Sequence, residues 1–99
     1  MPKLSPADLD KALRELPGWS AKDNAITKTF KHETFAEAIV FVNAAAHLAE
    51  LANHHPDIDI RYSNITTTLT THDQGGITEK DVALARSIEE TRRRAGVRS

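Results

Sequence analysis

Leu9, Leu13 and Leu16 fall on one helical face behind Ser5-Pro6-Ala7-Asp8. A hydroxyl N-cap, a proline at the first helical position and a carboxylate in the first turn open a helix in the expected order. Pro17-Gly18 ends it, and Trp19 leads through a short extended piece to a turn around Lys22-Asp23-Asn24. The period then changes to two. Ile26 and Phe30 lie on one side of the chain and Thr27, Thr29 and Lys31 on the other, which predicts a half-buried strand from Ile26 to His32, paired with the preceding piece as a hairpin. Thr34-Phe35-Ala36-Glu37 matches a capping box, and the helix it starts is predicted to run to about Asn53, because Phe35, Ala38, Ile39, Val42, Ala45, Ala46 and Ala49 recur at helical spacing. Phe41 and Leu48 widen that stripe beyond what one sheet face covers, so either a second subunit or deeper burial in a monomer is expected.

Alternation returns after Pro56. Ile58, Ile60 and Tyr62 oppose Asp57, Asp59 and Arg61; Ser63-Asn64 supplies a turn; Ile65, Thr67, Leu69 and Thr71 then oppose Thr66, Thr68, Thr70 and His72. Such β-branched density favours strands over helix. Gly75-Gly76 breaks the pattern, Thr78-Glu79-Lys80-Asp81 caps a last helix with Val82, Ala85 and Ile88 inside, and Gly96 is expected to end it. The order helix, two strands, helix, two strands, helix predicts an α+β fold, a four-stranded antiparallel sheet with the helices packed on one face.

Composition narrows the function. Ninety-nine residues, 39% hydrophobic, fit a single domain over residues 1–99. A net charge of −1 lacks the positive field that nucleic-acid or membrane-surface partners need. With no cysteine, thiolate nucleophiles and Cys-type zinc sites are excluded, leaving histidine, carboxylates and hydroxyls to do any chemistry. The N-terminus has no apolar core of a leader and no apolar run approaches membrane-spanning length, so a soluble cytoplasmic protein is expected.

Histidines are concentrated in two places: Glu50-Leu51-Ala52-Asn53-His54-His55-Pro56 and Thr70-Thr71-His72-Asp73. Imidazole titrates near neutrality and both gives and takes protons. Glu50 and His54 are four apart, on one face if the helix persists, and Pro56 pushes His55 towards extended geometry, so the imidazoles are expected to emerge at the helix C-terminus. That end favours protonated imidazole. His72 comes from the end of the fourth strand, with Thr70 and Thr71 offering hydroxyls or backbone groups to a polar ligand. His32 and His47 read as surface or satisfied core residues, Asp73 and Asp81 as turn and cap residues, and Arg92-Arg93-Arg94 with Arg98 as a solvated helix end. A metal site is the first rival, but adjacent histidines seldom turn both rings to one ion and the His pair has no i,i+4 spacing. Serine hydrolysis is weaker still, with no nucleophile elbow.

The run Glu50-x-x-x-His54-His55-Pro56, then Tyr62, then Leu69-Thr70-Thr71-His72-Asp73-x-Gly75-Gly76-Ile77-Thr78-x-x-Asp81 resembles the pterin-4a-carbinolamine dehydratase family, with elements matching in order from about Trp19 to Glu90. The resemblance implies dehydration of 4a-hydroxytetrahydropterin to quinonoid dihydropterin and water, in tetrahydrobiopterin recycling, without metal or organic cofactor. It implies a homodimer or homotetramer and a link to an aromatic amino-acid hydroxylase. It places His54, His55 and His72 in the pocket as acid-base groups, Glu50 positioning His54, and Asn53, Pro56, Thr70, Thr71, Asp73 and Gln74 against the pterin. Two positions depart from the animal pattern, which has aspartate before the His-His-Pro triplet and tryptophan two residues after its proline, where this chain has Asn53 and Ile58. The animal members' role as dimerisation cofactors of a transcription factor is not carried over. The alternative is a chaperone-like or assembly module on the same fold without catalysis.

Overall fold

A computed structural model describes residues 2–94. The elements are α1 (Pro6–Arg14), β1 (Ser20–Lys22), β2 (Ala25–Lys31), α2 (Phe35–Ala52), β3 (Asp57–Arg61), β4 (Asn64–Leu69), a 3-10 turn (His72–Gln74) and α3 (Glu79–Arg94). The predicted end of the last helix at Gly96, and Arg98, lie outside the described residues. The expected N-caps of the first two helices form: Ser5 Oγ accepts from Asp8 N–H and Thr34 Oγ1 from Glu37 N–H, each at 3.1 Å. The β1–β2 hairpin turns on Asp23 and Asn24, both left-handed (φ 53 and 64), a geometry whose twist matches the flanking strands.

The antiparallel sheet has the order β1-β2-β4-β3, so the two hairpins join through β2 and β4. Register puts Ile26 opposite Leu69 and Phe30 opposite Ile65, and these side chains build one apolar face. Val82, Ala85 and Ile88 of α3 and Ala38, Phe41, Ala45 and Ala49 of α2 complete a continuous core with it. On the other face Thr27 meets Thr68 at 3.2 Å and Thr29 meets Thr66 at 2.8 Å, hydroxyl to hydroxyl across the strands.

Three expectations about side chains are corrected. Phe35 and Ala46, placed on the inner stripe of α2, are exposed, because the buried line runs through Ala38, Phe41, Ala45 and Ala49. α2 is long and apolar enough in composition to cross a membrane, contrary to the expected absence of such a run, yet that line packs on the sheet while Val40 and Leu51 face outward. Arg92, expected at a solvated helix end, is 3% exposed. It follows Ile88 by one turn of a helix that still lies against β2 at Phe30 and Lys31, so it lands on the inner face. Its guanidinium lies 4.8 Å from the Phe30 ring centre and 5.9 Å from that of Phe41, and Nη2 donates to Lys31 O at 3.0 Å. Burial pushes its pKa below the usual arginine value, and Glu89 opposes that shift.

Candidate active site

The site begins where α2 stops. Asn53 turns left-handed (φ 50, ψ 43), a conformation asparagine tolerates better than most residues, and His54 N–H reaches back to Ala49 O at 3.1 Å. Pro56 then holds His55 in extended geometry as the chain enters β3. Two consecutive imidazoles therefore leave one helix end towards two different carboxylates.

His54 goes inward. Its Nε2 lies 2.5 Å from Asp81 Oδ1; the histidine side chain is 12% exposed and the aspartate fully buried. Asp81 sits in the first turn of α3, and its Oδ2 accepts from Thr78 N–H and from the Thr71 hydroxyl, each at 2.8 Å. Thr78 Oγ1 in turn accepts from Lys80 N–H at 3.2 Å and lies 2.8 Å from Thr71 Oγ1. One carboxylate thus caps a helix, ties the end of the sheet to it through Thr71, and orients His54. An ionised carboxylate only accepts, so against it His54 presents Nε2–H to Oδ1.

His55 goes outward and pairs through Nε2 with Glu50 Oε2, at side-chain exposures of 59% and 74%. This corrects the expected Glu50–His54 pair: the helix ends at Ala52, the left-handed turn carries His54 towards α3, and His55 is the ring left beside Glu50. An ion pair so exposed is screened and contributes little, whereas the buried pair fixes a geometry.

The strand register brings the other segment to the same end of the sheet. Asp57, the first residue of β3, pairs with Thr68, so His54 to Pro56 and Thr70 to Gln74 lie at neighbouring strand ends. His72, Asp73 and Gln74 are exposed on the 3-10 turn; Asn53 is exposed and Pro56 half-buried. The Thr70 and Thr71 hydroxyls are both engaged within the protein: half-buried Thr70 donates to Asn24 O at 2.7 Å, and buried Thr71 donates to Asp81. His47 is exposed on α2. His32 is buried against the Phe41 ring, centres 5.1 Å apart, with Nδ1 3.3 Å from Ser63 O. Among the described residues no group of three His, Asp or Glu side chains is disposed to hold a metal ion.

Asp81 is the residue whose second partner the local sequence does not report. Thr78-x-x-Asp81 signals a cap, and Asp81 is one; nothing in that local signal reports a histidine 27 residues upstream.

Residues 2–91 match the profile of the family described as pterin 4 alpha carbinolamine dehydratase. A Chloroflexus aurantiacus protein provisionally named pterin-4-alpha-carbinolamine dehydratase is 53% identical over 91% of this chain and 97% of its own length. The crystal structure of a Brucella melitensis protein described as a transcriptional coactivator/pterin dehydratase superposes with a TM-score of 0.85 at 38% identity, covering 89% of this chain and 96% of that one. At 23% identity and TM-score 0.61, a pterin dehydratase-like protein identified as a RuBisCO assembly factor in the alpha-carboxysome shares the fold, over 73% of this chain and 83% of that one.

Proposed function

From the premise that this chain belongs to the pterin-4a-carbinolamine dehydratase family, we propose that it is a lyase that dehydrates 4a-hydroxytetrahydropterin by histidine acid-base catalysis, returning the pterin towards tetrahydrobiopterin. The observation that carries the mechanistic part is the end of α2, where a histidine bonded to a buried carboxylate, His54, sits next to one bonded at the surface, His55, with His72 on the 3-10 turn that follows β4. The reaction needs a proton delivered to the departing 4a-hydroxyl and the N5 proton removed, so that the N5–H electrons form the C4a=N5 bond as water leaves. Imidazoles held in different surroundings serve both ends. Asn53, Pro56, Asp73 and Gln74, and the backbone of Thr70 and Thr71, border the open side of this cluster and are the proposed pterin contacts.

The protein acts as one domain in the cytoplasm and as a homodimer or homotetramer, assembled through the outer face of α2, where Val40 and Leu51 are 67% and 72% exposed. An aromatic amino-acid hydroxylase is the reaction type that supplies the carbinolamine.

The test is stopped-flow absorbance of 4a-hydroxytetrahydropterin generated by a hydroxylase, with wild type, His55→Ala and His72→Ala. The expected outcome is acceleration by the wild type and a loss of about 10²–10⁴-fold in the variants, the range for removing an acid-base group. Full turnover in both variants would sink the site. No acceleration by the wild type would turn the reading to an assembly module, the role identified for the carboxysomal protein that shares the fold.

A further inference from the structure

The loop that carries His72, Asp73 and Gln74 hangs from a narrow neck. Thr71 N–H donates to Gly76 O at 2.9 Å and Gly76 N–H to Thr71 O at 3.3 Å, an antiparallel bridge that closes residues 72–75 into a loop. Inside it Gln74 N–H reaches Thr71 O and Gly75 N–H reaches His72 O, each at 3.0 Å. All four loop residues are exposed, and the return side of the neck is made of two glycines, Gly75 in the left-handed region and Gly76 in the bridge. Glycine loses more backbone freedom on ordering than any other residue. A loop hung on two of them presents its side chains in one place only when the neck is held from outside.

Two segments distant in sequence hold it. On one side Thr70 donates to Asn24 O, in the β1–β2 turn, at 2.7 Å. On the other lies the arm that precedes α1. Leu4 N–H donates to Ile77 O at 2.9 Å, and the half-buried Leu4 side chain packs against the core. Lys3 lays its stem on Gly76: a Cβ there would sit 2.8 Å from Lys3 Cδ and 3.5 Å from Lys3 Cγ, with Asn24 Cβ 3.9 Å from the same point. Ser5 then caps α1, which is docked through Ala12, Leu9 and Leu13, so the arm is anchored beyond the contact.

We propose that the arm, through Leu4 and Lys3, is a positioning element for the substrate loop: it holds the neck at Gly76 and Ile77 and so keeps His72, Asp73 and Gln74 where they meet the pterin. This rests on the dehydratase reading given above. Both residues act through the loop rather than on the substrate. Loosening the neck lowers the fraction of molecules whose loop is competent to bind, and apparent affinity falls by that fraction while the chemistry of the bound state is kept. The arm therefore belongs to KM and not to kcat.

The test combines steady-state dehydration of hydroxylase-generated carbinolamine with amide hydrogen exchange and thermal unfolding, on the full chain. Leu4→Pro keeps an apolar side chain but removes the N–H given to Ile77 O. It is expected to raise KM about 3–10-fold, the scale of one hydrogen bond, with kcat within about two-fold of wild type, and to speed exchange of the Thr71 and Gly76 amides. Leu4→Ala is the contrast, since it keeps the N–H and loses core packing; Tm is expected to fall with KM and neck exchange unchanged. Lys3→Ala uncovers Gly76 and is expected to move KM and exchange in the same direction as Leu4→Pro. Adding Gly76→Ala to it is expected to restore both, because Gly76 is not left-handed and the methyl fills the vacated space while stiffening the neck. Should Leu4→Pro fail to fold, the Lys3 variants decide. Wild-type KM and exchange in Leu4→Pro and Lys3→Ala, or a KM that simply follows Tm through Leu4→Ala, would overturn the proposal. A wild type that does not dehydrate would remove the pterin role together with the dehydratase reading, and faster neck exchange in the variants would still show that the arm braces the loop.

Discussion

Replacing Asp81 with alanine removes a polar group that joins three separate elements. The fully buried carboxylate accepts hydrogen bonds from Thr78 N–H, the Thr71 hydroxyl and His54 Nε2. Losing the cap alone costs about 1 kcal/mol, and each buried donor left without a partner costs about 1–3 kcal/mol before water enters the vacated volume. Allowing for that relaxation, the expected loss is about 3–5 kcal/mol, the range for breaking a buried ionic contact from one side. A domain of this size has about 5–15 kcal/mol in total, so Tm should fall by roughly 15–30 °C. Asp81→Asn keeps an oxygen for Thr71 and Thr78 and should lose only about 1–2 kcal/mol, since the unfavourable contact is then limited to His54. Glu50→Ala is the control, because its pair with His55 is largely in water and should be worth no more than about 1 kcal/mol. The assay is urea unfolding followed by the fluorescence of Trp19, the single tryptophan, which is 6% exposed and bonded to Glu89 far from the site. Equal m-values would confirm that the same surface is exposed in each case. An Asp81→Ala loss no larger than that of Glu50→Ala would refute the view that this carboxylate joins the sheet end to α3.

Arg92→Ala removes a hydrogen bond from a charged donor and two ring contacts from the core, and should cost about 2–4 kcal/mol in the same titration; Arg92→Lys should recover less than half, since an ammonium lacks the planar fork. Gly75 has φ 69 and nothing within 4 Å of where a Cβ would sit, so Gly75→Ala should cost about 1–2 kcal/mol of backbone strain without a clash, measured as a thermal shift, and Gly75→Asn less. Leu51→Lys should leave stability within about 0.5 kcal/mol yet lower the sedimentation mass to that of a monomer; an unchanged oligomer would remove the outer face of α2 as the interface.

Much of this protein is written in local periodicity. Leucine spacing behind a Ser-Pro cap, alternation from Ile26 to Phe30 and from Ile65 to Leu69, and a proline after two histidines each report on neighbours within a few residues, which is the range over which backbone geometry and caps act. These signals sufficed for the element order, the hairpins and the sheet with its helices on one side. What they could not report is which carboxylate each histidine meets. A spacing of four promised Glu50 to His54, but one left-handed residue, Asn53, redirected the chain and gave Glu50 to His55. Asp81 looked like a helix cap and also became the partner of His54, and Arg92 looked like a charged helix end and became a core residue, because α3 still lies against the end of β2 at Phe30 and Lys31. Such outcomes depend on the docking of elements distant in sequence, where burial removes water as the competing partner and a polar group must take whichever partner the packing places beside it.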